Sequence, residues 1–89
     1  MLTLNELNDL MQGLEEWSLE SDAISKIFAF KDFKEAKEFI DKVAEIAEKH
    51  QHHPDIMWNY NQIRLSLTTH AEHGLTKKDF EVAREINIL

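Results

Sequence analysis

The apolar residues of this chain change period along its length, and that alternation restricts the fold more than any other feature. In three stretches they recur every three or four positions, the spacing that lays side chains along one stripe of a helix. In four shorter stretches they alternate with polar residues, as one face of a strand requires. No Pro-, Gly- or Ser-rich linker separates the two kinds of segment, so helices and strands must share one core.

Leu4, Leu7, Met11 and Leu14 form the first helical stripe. Thr3, with Glu6 three residues later, is a capping box at its start, and Gly13 is its stop. Trp17 and Leu19 then alternate with Glu16, Ser18 and Glu20, a strand signal, and Ser21-Asp22 is turn chemistry. Ile24, Phe28 and Phe30 share one parity, so 24–30 reads as a second strand in a hairpin with the first. Asp32 and Glu35 open the second helix, whose stripe is Phe33, Ala36, Ile40, Val43 and Ala47, widened by Phe39 and Ile46. Glu38–Lys42 and Glu45–Lys49 are spaced to pair on its surface. Pro54 pushes the residue before it out of helical geometry, so this helix ends near His50. Ile63, Leu65 and Leu67 mark a half-buried strand, with a shorter partner around Met57–Tyr60. Gly74 is a turn, and Thr76 with Asp79 caps a last helix through Phe80, Ala83 and Ile86. The expected architecture is a single α+β domain over residues 1–89, ordered α-β-β-α-β-β-α, with a four-stranded antiparallel sheet and three helices packed on one face.

Charge and composition exclude several functions. The first 22 residues hold six acids and no Lys or Arg, whereas the rest is nearly balanced. No basic stripe is available to displace counterions from phosphates, so direct nucleic-acid binding is not expected. No apolar run approaches the roughly 18–20 residues of a membrane helix, and the opening residues lack the basic and apolar regions of a secretory leader. Cytoplasmic residence is the expectation. Without cysteine there is no disulfide framework, no thiolate nucleophile and no Cys-based zinc site. A chain this short buries only about 60–65% of its unfolded surface, so pairing with a second copy would help it.

All five histidines fall between positions 50 and 73: His50, His52, His53, His70 and His73. Imidazole exchanges protons near neutral pH, and so many rings in one quarter of a chain is the main functional signal. Metal ligation by His50-x-His52 or His70-x-x-His73 is one reading. Against it, the rings of neighbours His52 and His53 diverge on extended backbone, and no H-E-x-x-H signature is present. Nucleophilic catalysis lacks a G-x-S-x-G elbow and a cysteine. General acid–base work on a polar small molecule needs two or three imidazoles on a concave surface and carboxylates to orient them. Glu48, His52, His53, His70 and Asp79 supply that set.

The run Glu48-Lys49-His50-Gln51-His52-His53-Pro54-Asp55, followed by Tyr60, Thr69-His70, Gly74-Leu75-Thr76 and Asp79, resembles the pterin-4a-carbinolamine dehydratases. The likeness extends upstream through Trp17 and from Asp22 to Phe33, and so covers nearly the whole chain. It implies dehydration of a 4a-hydroxytetrahydropterin to the quinonoid dihydropterin, which recycles the cofactor of aromatic amino acid hydroxylases. The pterin is then the substrate, and neither metal nor further cofactor is implied. Position by position, the resemblance implies catalytic roles for His52, His53 and His70, with His52 the general acid at the 4a-hydroxyl. Glu48, His53 and Asp79 would bind or orient substrate, Asp79 also being the residue a capping box requires at its place. Tyr60 and Trp17 read as packing residues, and His50 and His73 lie outside the motif. Gln51 departs from the small acidic or amide residue frequent before the His pair. The family forms homodimers or dimers of dimers. Some relatives act as dimerisation cofactors of a transcription factor. The alternative is therefore a non-catalytic interaction module using the acidic first helix, with Leu7 and Met11 at the contact.

Overall fold

The computed structural model describes every residue from Met1 to Leu89. Three helices, α1 (Leu4–Met11), α2 (Phe33–His50) and α3 (Lys77–Asn87), accompany four strands, β1 (Ser18–Glu20), β2 (Ala23–Ala29), β3 (Asp55–Asn59) and β4 (Gln62–Leu67). The strands form one antiparallel sheet in the order β1-β2-β4-β3. The expected element order and class hold. No helix is long and apolar enough to cross a membrane.

Register explains which sheet face is covered. Ile24 pairs with Leu67, and Phe28 with Ile63, which also faces Trp58 on β3. Ile24, Ile63, Leu65 and Leu67 are fully buried, in one cluster with Ala36 and Val43 of α2 and Phe80, Val82, Ala83 and Ile86 of α3. Alternate residues point the other way. Ile27, Arg64 and Met57 line up across three strands on the open face, and Ile27 and Met57 are exposed.

Lys26 breaks the alternation on the covered face. Its ammonium donates to Asn87 Oδ1 at 3.0 Å and lies 4.8 Å from the Phe28 ring centroid. Trp17 Nε1 donates to the same Asn87 oxygen at 3.0 Å, so one amide at the end of α3 satisfies two donors from the β1–β2 side. These partners, with the Glu16 carboxylate 3.7 Å from the ammonium, replace the water this lysine loses.

Three local expectations change. Leu14, placed on the first helical stripe, lies beyond α1: Gly13 at φ +82° turns the chain, and Leu14 enters the core as a loop residue. Trp17 and Leu19, expected on one face of a strand, part company: Trp17 is buried ahead of β1, and Leu19 is exposed because β1 is a short edge strand starting after Trp17. The surface pairs Glu38–Lys42 and Glu45–Lys49 do not form. Lys49 instead reaches across to Glu85 on α3 at 2.6 Å, and an i,i+4 pair is worth only about 0.2–0.5 kcal/mol in competition.

Glu85 also pairs with His50 Nε2, so the C-terminal turn of α2 is clamped to α3. The hydrogen bond from Lys49, then that from His50, holds the Glu85 carboxyl below its ordinary 4.5. A depressed carboxyl adds stability above its unfolded-state pKa, and that stability is lost as pH falls through the folded value. Glu85→Gln is therefore expected to lower Tm at pH 7, with the gap to the parent closing as the pH is taken down past 4.5. Thermal melts at stepped pH check this.

Candidate active site

The C-terminus of α2 sets the site. Gln51 takes a left-handed conformation, φ 49° and ψ 45°, and the His52 N–H bonds back to the Ala47 carbonyl at 3.0 Å. Gln51 Nε2 donates to the Glu48 carbonyl at 2.7 Å, which helps a non-glycine residue hold that turn. Pro54 follows and directs the chain into β3. His52 and His53 thus leave the helix on a tight connection backed by the whole length of α2.

The other wall comes from the end of β4. Thr69 pairs with Gly74 through two backbone hydrogen bonds, Thr69 N–H to Gly74 O at 3.1 Å and Gly74 N–H to Thr69 O at 3.3 Å. They close a loop holding a 3-10 turn at His70–Glu72, ended by His73 at φ 56°. His52, His53 and His70, separated in sequence, line one open hollow of about 360 Å³ with Gln51, Thr68, Thr69, Ala71 and Lys78.

Each of the first two rings has its own carboxylate. His52 is nearly buried, and its Nε2 lies 2.5 Å from Asp79 Oδ1. His53 is half exposed, with Nε2 2.5 Å from Glu48 Oε2. An ionised carboxylate only accepts, so Nε2–H is the donor in both pairs and Nδ1 is left as each ring's second proton-exchanging atom. Asp79 has no solvent exposure. Its Oδ2 accepts from the Thr76 N–H at 2.9 Å and from the Thr69 hydroxyl at 2.8 Å. Asp79 thus caps α3 and holds His52 together. Expected also to touch substrate, it lies beneath the His52 ring and reaches the hollow only through it. Glu48 orients His53, one of its two expected uses.

The remaining candidates lie elsewhere. His50 belongs to the Glu85 clamp, and His73 lines a separate hollow beside Met1, Leu2 and Asp22. Trp17 is core, edge-on to Phe28 with centroids 6.1 Å apart. Tyr60 is an exposed turn residue stacked near Phe33, outside the hollow. Lys78 and Thr69 were missed as site residues. Lys78 has no sequence signal beyond adjacency to Asp79, whereas Thr69 stands beside His70 in the run that carries the resemblance. A larger hollow of about 420 Å³ lies among Glu16, Ser18, Glu20, Ser25, Lys26 and Arg64. It holds no histidine, and Arg64 and Glu20 are already paired at 2.9 Å, whereas three imidazoles line the smaller hollow.

The family profile described as pterin 4 alpha carbinolamine dehydratase matches residues 1–89. The chain belongs to that family. Among pterin-4-alpha-carbinolamine dehydratase relatives, a Sulfolobus acidocaldarius protein assigned that name is 45% identical over 83 residues, 93% of this chain and 91% of the relative. One from Sulfurisphaera tokodaii is 42% identical over 88 residues, covering 99% and 95%. A crystal structure described as a transcriptional coactivator/pterin dehydratase from Brucella melitensis superposes with a TM-score of 0.92 at 38% identity, covering 98% of this chain and 95% of that one. A pterin dehydratase-like protein described as a RuBisCO assembly factor in the alpha-carboxysome gives 0.70 at 18% identity over 83% of this chain and 88% of that one, a likeness of fold alone.

Proposed function

We propose that this protein dehydrates a 4a-hydroxytetrahydropterin to the quinonoid dihydropterin by general acid–base catalysis, serving a pterin-dependent aromatic amino acid hydroxylase. The observation supporting it best is the meeting of three imidazoles, two with their own carboxylates, in one hollow of a chain that matches the family throughout. Hydroxide leaves carbon poorly. The C4a–O bond breaks as a ring-nitrogen lone pair forms the C=N bond, and the departing oxygen takes a proton to leave as water. A ring N–H is then given up to a base. The sum is loss of water without change of oxidation state, so the chemistry asks for no redox cofactor.

His52 is the general acid in this reading. Its imidazolium is stabilised by buried Asp79, and low exposure keeps that charge interaction from being screened. His70, on the opposite wall, is the second acid–base group. His53 and Glu48 hold the pterin's polar edge or support proton transfer. Proton transfer by one placed group contributes about 10²–10⁴-fold. His53→Ala is expected to lose less, about tenfold, because its pair with Glu48 is open to solvent. Steady-state rates, read as loss of 4a-hydroxypterin absorbance against the spontaneous reaction, check this. A wild-type protein giving no acceleration would refute the reading.

The working form is a homodimer that extends the sheet across a two-fold axis. β3 is an edge strand with an unpaired backbone side and exposed Ile56 and Met57, and no Lys or Pro within it blunts the edge. Light scattering distinguishes dimer, dimer of dimers and monomer.

A second reading, an interaction module, draws on the coactivator description of the Brucella melitensis protein. The first helix supports it less than expected. Leu7 and Met11 turn inward against the core, and Leu4 is the apolar residue α1 leaves exposed. Partner binding that survives His52→Ala and fails with Leu4→Asp would favour that reading.

A further inference from the structure

Thr69 belongs to the wall that carries His70 and is hydrogen-bonded to Asp79, the partner of His52 on the other wall. Its backbone closes the loop that presents His70, through the paired bonds with Gly74. Its hydroxyl donates to Asp79 Oδ2 at 2.8 Å and lies 2.9 Å from Thr76 Oγ1. Since Thr69 gives its proton to Asp79, the Thr76 hydroxyl donates to Thr69, and a short chain runs Thr76–Thr69–Asp79–His52. Asp79 sits in that chain with no exposure to water, so protein donors alone settle how its charge is distributed. A donor on Oδ2 draws charge away from Oδ1, the oxygen that His52 meets.

We infer that Thr69 is a positioning residue for the dehydration, its hydroxyl moderating how strongly Asp79, on the Nε2–H side of the ring, stabilises the His52 imidazolium that gives up its Nδ1 proton, while its backbone holds His70 opposite. This rests on the reading of His52 as general acid. An acid must hold its proton at working pH and release it to the leaving oxygen, and an imidazolium held too tightly is a weak acid. The other charged groups around His52 are few. Lys78 from α3, His70 from the loop after β4, and His53 with Glu48 from the end of α2 line or border the same hollow. Thr69→Val leaves these and the Gly74 backbone bonds in place, because it replaces one hydroxyl by a methyl of like size.

The test is histidine titration by NMR on the full-length protein without substrate, beside the rate–pH profile, for wild type, Thr69→Val and Thr69→Ser. With its donor gone, Asp79 bears more charge on Oδ1 and stabilises the imidazolium more. His52 is then expected to titrate about 0.5–1 pH unit higher in Thr69→Val, with His70 unmoved. Because the rate needs His52 protonated, the basic limb of the profile moves up with it, and the plateau kcat falls about two- to fivefold with KM changed less than twofold. Thr69→Ser restores both. An unchanged His52 titration in a folded Thr69→Val overturns the inference, as does a Thr69→Ser protein that behaves like Thr69→Val. Should Thr69→Val not fold, Thr69→Ala, which also lacks the hydroxyl, takes its place, with the same shift expected and an unchanged His52 titration again overturning the inference. A protein without dehydratase activity whose His52 titration still moves would instead refute the proposed reaction and leave the Thr69–Asp79–His52 coupling standing.

Discussion

His52→Ala is expected to bring the dehydration rate down about 10²–10⁴-fold, with a stability loss of only about 1 kcal/mol, the low end for a buried acceptor that loses its donor. The ring is nearly buried, but it sits at the lip of an open hollow, so its loss empties space that water can enter. Asp79 loses one partner and keeps the Thr69 and Thr76 donors. Melting curves alongside the rates separate the chemical from the structural effect. A variant that melts like the parent and turns over at the parental rate removes His52 from the reaction.

Asp79→Ala is expected to be the most damaging single change to stability, about 3–5 kcal/mol from a total of about 5–15. It strips the partner from a buried ring, a half-buried hydroxyl and the N-terminal turn of α3 at once. Asp79→Asn is milder and more informative. The two carboxylate oxygens face different donors, His52 Nε2–H on one and the Thr76 N–H on the other, whereas an amide has one acceptor oxygen. One donor must therefore face the amide NH2, at about 1–3 kcal/mol. The charge that stabilises the His52 imidazolium is also gone, and kcat is expected to fall about 10²-fold. Urea melts and initial rates on both variants measure the two parts. Parental stability in Asp79→Ala would contradict the buried network.

Periodicity made the fold legible, because each element writes its own burial pattern. The stripe behind Asp32 and the Ile63-Leu65-Leu67 alternation lie against one another as their spacing implies. Edges and ends were less legible. Trp17 and Leu19 have the same parity, yet an edge strand of three residues cannot bury both. Lys26 reads as an error on a covered face until Asn87, some 60 residues later, supplies its acceptor. In the site, the histidines were visible as a cluster, but which carboxylate serves which ring was not. Glu48 meets His53 one turn further on, a local contact, whereas Asp79 meets His52 across 27 positions and depends on how α3 docks. Lys78 has no distinguishing pattern of its own and Thr69 none beyond its place beside His70 in the family run, and the closure of the loop onto α3 brings both to the hollow.

The central claim is that three imidazoles surround one fused heterocycle. A crystal structure with a redox-stable dihydropterin analogue tests it most directly. The account predicts the ring system seated between His52, His53 and His70, with the C4a edge within hydrogen-bond reach of His52. An analogue bound instead in the polar hollow between Glu16, Glu20 and Arg64, or held with His52 out of reach of C4a, would contradict it.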